Sequence, residues 1–362
     1  MSVVLISGGG TGGHLMPALA IAAELRRRRP DLEPVLVGAV RGIEYSLLPT
    51  RDFRYVLLPA EPLYRRQWWR NWRWPLVAGR LVRSVGRLLD RERPVAVLGT
   101  GGYASAPVVY LAGRRGIPTA IQEQNVYPGL ATRLLSSRVR HVYLGAPEAR
   151  THLRFGRGTT VFDTGNPISP PDRSRAPAAR RRFGLTDDRP VVLVTGGSQG
   201  SVALNEATAA WLAAGGGQGL AVLWATGTAS YHRYQPYHRA PDVQVFDFLD
   251  PIADAFAVAS LVIGRAGMMT CAEMCAWGLP SLLIPLPSAA ADHQSANARA
   301  LARSGASRVL TQAELVPGRL STEIAGLIAE PAELRRMAEA AASRGRPSAS
   351  ADIVSHLLTL LD

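Results

Sequence analysis

Residues 3–16 have the sequence VVLISGGGTGGHLM, which predicts a buried strand, a glycine-rich loop and the approach to a helix. Val3–Ile6 is apolar throughout, as strands covered on both faces of a parallel sheet usually are. The loop Ser7–His14 follows, and then a helical pattern at Pro17–Arg29 with proline in the first turn. Loop amides and a helix N-terminus together form an anion site. The stretch therefore predicts an α/β fold that binds a negatively charged group after its first strand.

A dinucleotide cofactor is one alternative for this loop, because Gly8, Gly10 and Gly13 satisfy the G-x-G-x-x-G spacing. Such a site also needs an acidic residue at the end of the second strand, where it binds the ribose hydroxyls. The second predicted strand ends in VGAV at residues 37–40, without an acid. The sequence thus disfavours a nicotinamide cofactor. A tight turn that binds nothing remains a structural alternative.

The alternation of short apolar runs with helical patterns occurs twice along the chain. The first series spans residues 1–166 and the second 190–345, and the Pro-, Arg- and Asp-rich residues 167–189 are predicted to be a linker. The predicted class is α/β, with two Rossmann-like doubly wound domains and a C-terminal helix within 346–362 that packs back on the first domain. The predicted strands are Val3–Ile6, Pro34–Val37, Tyr55–Leu58, Val95–Leu98, Pro118–Ile121, His141–Leu144, Val191–Thr195, Ala221–Ala225, Val243–Phe248, Leu261–Ile263, Ser281–Ile284 and Arg308–Leu310.

The composition narrows the classes of partner. The 362 residues carry a net charge of +13, from 41 basic residues, all of them arginine, against 28 acidic ones. This balance favours an anionic partner: nucleic acid, a phospholipid surface or a phosphorylated substrate. The two cysteines, Cys271 and Cys275, exclude a disulfide scaffold, favour a reducing compartment and are interpreted as core residues rather than metal ligands. No signal peptide and no apolar stretch of membrane-spanning length is predicted.

Two further segments of the second domain favour a phosphorylated ligand. Thr195–Gly200 is glycine-rich and follows that domain's first predicted strand. Residues 264–270, GRAGMMT, follow another strand and open a helix that carries Glu273, and a predicted loop over 292–297 comes later. An arginine, a helix N-terminus, an acid and an amide together suit a nucleotide-sugar diphosphate. Two glycine-rich loops on two such domains suggest a substrate held between them.

Seven motifs in order resemble one known family. They are GGGTGGHLMPALA at residues 8–20, GTGGYASAP at 99–107, QEQNVYPG at 122–129, TGNP at 164–167, GGSQG at 196–200, GRAGMMTCAE at 264–273 and DHQSANA at 292–298. Together they span nearly the whole chain and resemble the MurG family. Its members transfer N-acetylglucosamine (GlcNAc) from UDP-GlcNAc to lipid I, undecaprenyl-pyrophosphoryl-MurNAc-pentapeptide, and so give lipid II in peptidoglycan synthesis.

The resemblance implies a GT-B fold, an inverting hexosyltransferase, and peripheral attachment to the cytoplasmic face of the bacterial plasma membrane. It implies UDP-GlcNAc, lipid I, an anionic membrane surface and possible cell-wall and division enzymes as partners, without nucleic acid, cofactor or structural metal. It matches Glu273 to the ribose contact, Gln294 to the GlcNAc contact and Leu249 to the uracil contact. The full set implied to bind UDP-GlcNAc is Thr11, Gly12, Gly13, Asn125, Ser198, Leu249, Arg265, Met268, Met269, Thr270, Glu273 and Gln294.

The reaction needs a base for the acceptor hydroxyl and positive potential for the departing diphosphate. By residue type and position His14 is the leading candidate, with a helix-capping histidine as the structural alternative. Glu123 is the second candidate, as the base or as the group that orients His14. The sequence departs from the family pattern at Gln122, where a histidine is usual, and at Ser169, where an arginine is usual and Arg173 or Arg175 could substitute.

A tryptophan- and arginine-rich segment follows the third predicted strand. Tryptophan favours the bilayer interface and arginine favours anionic headgroups, so the segment predicts a reversible membrane dock. A protein interface, single-stranded nucleic-acid stacking and a core helix with a solvated arginine face are the alternatives. The dock residues are Trp68, Trp69, Trp72, Trp74, Arg70 and Arg73.

Three functions are compatible with these features. The membrane-associated GlcNAc transferase explains the motifs and the dock together. Another GT-B enzyme, a UDP-GlcNAc 2-epimerase or a glycolipid synthase, is the nearest alternative, although a soluble epimerase has no need of a dock. A membrane-binding module with a degenerate site is disfavoured by the presence of His14, Glu273 and Gln294.

Overall fold

A computed structural model describes residues 1–61, 69 and 74–361. The chain divides into two compact units. Unit 1 comprises Met1–Ser169 together with Pro347–Asp362, and unit 2 comprises Pro170–Arg346. Within the described ranges, no helix combines the length and the apolar character that crossing a membrane would require.

Unit 1 is built on a seven-stranded sheet in the order β3-β2-β1-β4-β5-β6-β7, and every neighbouring pair is parallel. Three successive residues of β1, Val4, Leu5 and Ile6, are fully buried, because helices cover both faces of the sheet. The sequence did not predict β7, which is only three residues long. The strands are β1 Ser2–Gly8, β2 Leu32–Ala39, β3 Arg54–Leu58, β4 Ala96–Gly101, β5 Thr119–Glu123, β6 His141–Leu144 and β7 Thr160–Phe162.

The first helix begins earlier than the sequence predicts. It starts at Gly12, directly after the extended Thr11, so Pro17 lies inside it and not in its first turn. Proline removes one intrahelical hydrogen bond there, to the carbonyl of Gly13, which is exposed to solvent. The first five helices, all in unit 1, are α1 Gly12–Arg28, α2 Glu44–Leu47, α3 Trp74–Glu92, α4 Ser105–Arg114 and α5 Leu130–Leu135.

Unit 2 repeats the design with six parallel strands in the order β10-β9-β8-β11-β12-β13. Its strands are β8 Val191–Thr195, β9 Ala221–Ala225, β10 Val243–Phe246, β11 Leu261–Gly264, β12 Ser281–Leu283 and β13 Ser307–Val309. Its helices are α6 Ala176–Arg182, α7 Val202–Ala213, α8 Tyr231–Tyr234, α9 Ile252–Val258, α10 Met268–Trp277, α11 His293–Arg303, α12 Arg319–Ile328 and α13 Pro331–Arg344.

The segment interpreted as a linker is partly folded into unit 2. It contains α6, which packs on α9 and is followed by the buried Phe183. Burial raises the pKa of Asp254, but hydrogen bonds from Arg182 and Arg175 outweigh that effect and lower the pKa overall. The apolar positions of α6 are few and lie among arginines, which hides the helical pattern in the sequence.

The chain returns to unit 1 for its last helix, α14, Ala349–Leu358. Ile353, Val354 and Leu357 are fully buried in the same hydrophobic cluster as α1. The Arg28 guanidinium donates to the carbonyl oxygen of Ala351 at 2.9 Å. Helix α14 is therefore part of the unit 1 core although it follows unit 2 in the sequence.

Candidate functional site

The glycine-rich loop of unit 1 lies between β1 and α1 and is held by a buried carboxylate. Glu44 is fully buried, and its Oε1 accepts hydrogen bonds from the backbone amides of Gly10, at 2.8 Å, and Ala39, at 3.0 Å. A Cβ atom at Gly9 would lie 1.8 Å from that oxygen. The sequence analysis missed Glu44, which lies on the short helix α2 without any motif around it. Glu44 thus holds the glycine-rich loop in place by binding the backbone amide of Gly10.

A close contact between Gly102 and Gly9 brings two loops together. A Cβ atom at Gly102, which has φ +84°, would lie 1.9 Å from the carbonyl oxygen of Gly9. Only glycine permits both this close approach and this left-handed backbone. The loop after β4 and the loop after β1 are thus in contact at the carboxyl ends of neighbouring strands.

We expect Gly102→Ala to lower the free energy of unfolding by about 2 kcal/mol, because the added methyl group clashes with backbone and the left-handed conformation is strained. Urea unfolding would measure this loss. Gly79→Ala is the matched control, since a Cβ atom there meets nothing within 4 Å and glycine is unfavourable inside α3. The control should be neutral or stabilising, and an equal loss in both variants would contradict the prediction.

His14 is the third residue of α1 and is partly buried. Its Nδ1 lies 3.0 Å from Oε1 of Gln124, and its backbone carbonyl accepts a hydrogen bond from the Thr100 hydroxyl at 2.8 Å. The prediction that Glu123 orients His14 is therefore wrong, because the adjacent residue occupies that place. Glu123 is the last residue of β5 and Gln124 follows it, and the two side chains have different hydrogen-bond partners.

Glu123 has a different task. It is buried, and its Oε1 accepts hydrogen bonds from the backbone amide of Asn125 at 3.0 Å and from the Asn125 side chain at 3.3 Å. Its Oε2 accepts a hydrogen bond from the Gly129 amide at 3.0 Å. The carboxylate thus holds the loop that carries Asn125. Both oxygens are engaged there, which makes His14 the better placed base in unit 1.

The start of α1 provides the donors of this site. Thr11 is the N-cap, with extended backbone and no capping hydrogen bond from its side chain, and the exposed Gly13 follows within the first turn. Amide groups of a first helical turn have no carbonyl partners within the helix. Thr11, Gly12 and Gly13 can therefore offer amides to an anionic or hydroxyl-bearing ligand beside His14.

The departures from the family pattern have structural partners. Gln122 is buried and donates through Nε2 to Oδ1 of Asn166 at 3.0 Å. Arg173 donates to the carbonyl oxygen of Trp277 at 2.8 Å, and Arg175 pairs with Asp254. Both arginines thus make contacts inside unit 2, which argues against either one replacing the arginine usual at Ser169.

The glycine-rich loop of unit 2 presents Ser198 to solvent between β8 and α7. The Gly197 amide donates to Oγ1 of Thr195 at 3.2 Å, and Ser201 caps α7 by accepting from the Leu204 amide. A Cβ atom at Gly200, with φ +71°, would lie 2.2 Å from the Thr226 carbonyl oxygen. The loop is fixed at both ends, and its outer rim is available to a ligand.

Helix α10 begins at the site predicted for the diphosphate. Gly267 is its N-cap, and Met268, Met269 and Thr270 form its first turn. Arg265 lies just before it and donates to the carbonyl oxygens of Ile284 and Pro285 and to Oε1 of Gln312. Burial lowers the pKa of this guanidinium. Arg265 thus fixes the loop after β12 while it adds positive charge beside the helix N-terminus.

Glu273 lies in the second turn of α10 and is partly buried. Burial raises the pKa of its carboxyl group to about 7. Within the described ranges, no hydrogen bond or ion pair to this carboxylate is present. A partly buried carboxylate without a protein partner is a good acceptor for ligand hydroxyls, because its oxygens remain open to a ligand.

The remaining predicted residues of unit 2 occupy helix and core positions. Gln294 accepts a hydrogen bond from the Leu286 amide at 3.0 Å, which leaves its NH₂ group as a donor, and Leu249 is buried. The segment predicted as a loop is in fact the start of α11, which begins at His293. Asn297, the last residue of that predicted loop, is fully buried and donates to the Ala266 carbonyl oxygen at 3.1 Å, so it supports the turn before α10.

The predicted dock lies largely outside the described residues, since Trp68, Arg70, Trp72 and Arg73 are not among them. Trp69 is 59% exposed, and Trp74 is the first residue of α3. Cys271 and Cys275 are buried, as the core interpretation predicts, and burial raises the pKa of both thiols. Among the residues that the structure covers, no group of three or more His, Cys, Asp or Glu side chains could hold a metal ion.

The two halves of the chain match two family descriptions. Residues 4–144 match the glycosyltransferase family 28 N-terminal domain, and residues 191–353 match the glycosyltransferase family 28 C-terminal domain. The whole chain is 39% identical over 372 residues to the UDP-N-acetylglucosamine–N-acetylmuramyl-(pentapeptide) pyrophosphoryl-undecaprenol N-acetylglucosamine transferase of Moorella thermoacetica, with 99% of each chain covered.

Solved structures agree with this relationship. The crystal structure of Acinetobacter baumannii MurG matches with a TM-score of 0.79 at 26% identity and covers 99% of both chains. The UDP-GlcNAc 2-epimerase of Neisseria meningitidis matches with a TM-score of 0.65 at 14% identity, over 99% of this chain and 100% of that one. The latter shares the fold alone. The predicted fold class is confirmed, and the full-length sequence relationship favours the transferase over the epimerase.

Proposed function

Because the chain belongs to the family of UDP-N-acetylglucosamine–N-acetylmuramyl-(pentapeptide) pyrophosphoryl-undecaprenol N-acetylglucosamine transferases, we propose that it transfers GlcNAc from UDP-GlcNAc to the MurNAc 4-hydroxyl of lipid I. The product is lipid II, and the anomeric centre is inverted. The observation that carries the proposal is the 39% identity to such a transferase over 99% of both chains.

The chemistry divides between the units. In unit 1, His14 removes the proton of the acceptor hydroxyl as its oxygen forms a bond to the anomeric carbon. The bond from that carbon to the diphosphate oxygen breaks, and UDP departs with the electron pair. In unit 2, the first-turn amides of α10 and the charge of Arg265 stabilise the negative diphosphate, while Glu273 and Gln294 offer an acceptor and a donor for sugar hydroxyls.

UDP release from UDP-GlcNAc, measured with and without a short-chain lipid I analogue, tests the proposal. We expect release that depends on the analogue, together with a disaccharide product. Release without an acceptor would indicate an epimerase or hydrolase instead. No release in either case would reject this donor and acceptor pair.

The proposal includes a membrane contact through α3. Leu81, Val85, Leu88 and Leu89 are buried and fix one side of the helix in the core. The opposite side, by the 3.6-residue period, carries Leu76, Arg80, Arg83 and Arg87, all of them exposed, with Leu76 at 67%. An exposed apolar residue in a row with three arginines suits the surface of an anionic membrane, which holds a lipid-borne acceptor.

We expect replacement of Arg80, Arg83 and Arg87 by glutamine to weaken binding to anionic vesicles by about tenfold to hundredfold, since each arginine near the surface contributes about 1 kcal/mol. Vesicle sedimentation measures the binding. The control replaces three exposed arginines of unit 2, Arg303, Arg335 and Arg336, with the same change in net charge. Transfer to a soluble acceptor should persist in both variants. Equal weakening in both would show that net charge, not this side of α3, causes the binding.

A further inference from the structure

The amide side chain of Gln124 lies between the His14 ring and the backbone of β4. Gln124 is buried, and its Nε2 donates to the carbonyl oxygen of Thr100 at 2.8 Å and to that of Gln122 at 3.3 Å. The same nitrogen also contacts Oε1 of Gln122. Its Oε1 lies 3.0 Å from Nδ1 of His14.

These contacts determine which way the amide points. A backbone carbonyl oxygen can only accept a hydrogen bond, so the atom of Gln124 beside Thr100 and Gln122 must be the amide nitrogen. The atom that faces His14 is then the amide oxygen, which also can only accept. His14 must therefore donate, and in the neutral imidazole the proton lies on Nδ1. The lone pair is then on Nε2.

We propose that Gln124 is a positioning residue that holds His14 in the Nδ1–H tautomer and so leaves Nε2 as the atom that accepts the proton of the acceptor hydroxyl. The inference rests on the proposed role of His14 as base. In the reaction the hydroxyl proton moves to Nε2, the Nδ1 proton stays where it is, and Gln124 accepts the same hydrogen bond before and after.

Other buried groups hold Gln124 itself in place. Asn166 donates through Nδ2 to the backbone carbonyl oxygen of Gln124 at 3.1 Å, and its Oδ1 accepts from Nε2 of Gln122. Thr100 contributes twice, since its carbonyl oxygen accepts from Gln124 and its hydroxyl donates to the His14 carbonyl oxygen at 2.8 Å. Gln122, at the position where the family usually has a histidine, thus supplies an acceptor for the Gln124 amide.

The direct test is the tautomer of His14 in the wild-type protein. Long-range ¹H–¹⁵N spectra of ¹⁵N-histidine-labelled protein, at about pH 8.5 where imidazole is neutral, distinguish the two ring nitrogens. His14→Ala assigns the signals. We expect a protonated Nδ1 and an unprotonated Nε2, and the opposite pattern would overturn the proposal. This measurement needs no activity, so it stands apart from any failure of the proposed function.

A double-mutant cycle of Gln124 and His14 tests the effect of this positioning on catalysis. Gln124→Met keeps the length of the side chain but removes the acceptor, so the proton can move to Nε2 and the ring can rotate. We expect kcat to fall by about tenfold to hundredfold, with the KM for UDP-GlcNAc changed less than about twofold. In the His14→Ala background the same substitution should have no further effect. An equal loss in both backgrounds would show that Gln124 acts on the fold and not through His14.

Discussion

Replacing His14 by alanine is expected to lower kcat by about 10²–10⁴-fold, the usual contribution of a general base, while the Kd for UDP stays nearly unchanged. The side chain stands on the first turn of α1, and its ring contacts Gln124 in unit 1. The residues proposed above to bind the diphosphate and the sugar hydroxyls of the donor belong to unit 2. Removing the ring should therefore remove proton transfer and spare nucleotide binding.

Steady-state transfer to a short-chain acceptor and UDP titration calorimetry measure the two quantities. His232→Ala is the matched control, because His232 is an exposed histidine on α8 of unit 2. It should leave both quantities unchanged. If His14→Ala weakened UDP binding as much as it lowered kcat, His14 would be a binding residue and not the base.

Glu273→Gln should change two pH dependences at once. Burial raises the pKa of this carboxyl group to about 7, so the folded chain binds a proton between about pH 4.5 and 7 that the unfolded chain has lost. The contribution of this group to the free energy of unfolding therefore falls as the pH rises through that window. The destabilisation reaches its full value above about pH 8. Glutamine removes this destabilisation because its side chain does not ionise. We expect the variant to be more stable at pH 8 by up to about 3 kcal/mol and equal to the wild type near pH 4.5.

The affinity for UDP should change with pH in the direction opposite to the change in stability. The ribose hydroxyls donate best to the ionised carboxylate, so wild-type affinity should rise through pH 7, and this rise should be absent in the glutamine variant. The difference between the two proteins cancels the titration of UDP itself. Glu339→Gln, an exposed position on α13, is the control and should follow the wild type in both measurements. A difference between Glu273→Gln and the wild type that does not vary with pH would contradict the assignment.

The strands were predictable because they are short, almost continuously apolar runs that are buried on both faces. His141–Leu144, Val191–Thr195 and Ala221–Ala225 are observed with the predicted bounds. The strand Thr160–Phe162 was missed because three residues at a sheet edge carry no period. The start of α1 was misplaced because Gly12 and Gly13 disfavour helices by themselves, so the sequence indicates a loop where the structure has the first helical turn.

The positions of the candidate-site loops were predictable where a local motif marks them. The glycine-rich loops and the helix start at Met268 lie where their sequences indicated. The residues that hold these loops in place could not be predicted from the sequence. Glu44 is 34 residues from Gly10, and Gln124 is 110 residues from His14. Such pairs arise from strand order, which brings distant residues together, and no local pattern encodes them. The choice between Glu123 and Gln124 as the partner of His14 depended on hydrogen bonds at the end of β5 that the sequence does not show.

The place of α14 affects how the protein is made. A ribosome releases residues 170–346, a continuous segment, before it releases Ile353, Val354 and Leu357, which complete the core of unit 1. Unit 1, although translated first, therefore keeps an uncovered apolar surface on α1 during the whole synthesis of unit 2. The second half of the chain can fold before the first is finished. The order in which the two cores can be completed is thus the reverse of the order in which the two units begin in the sequence.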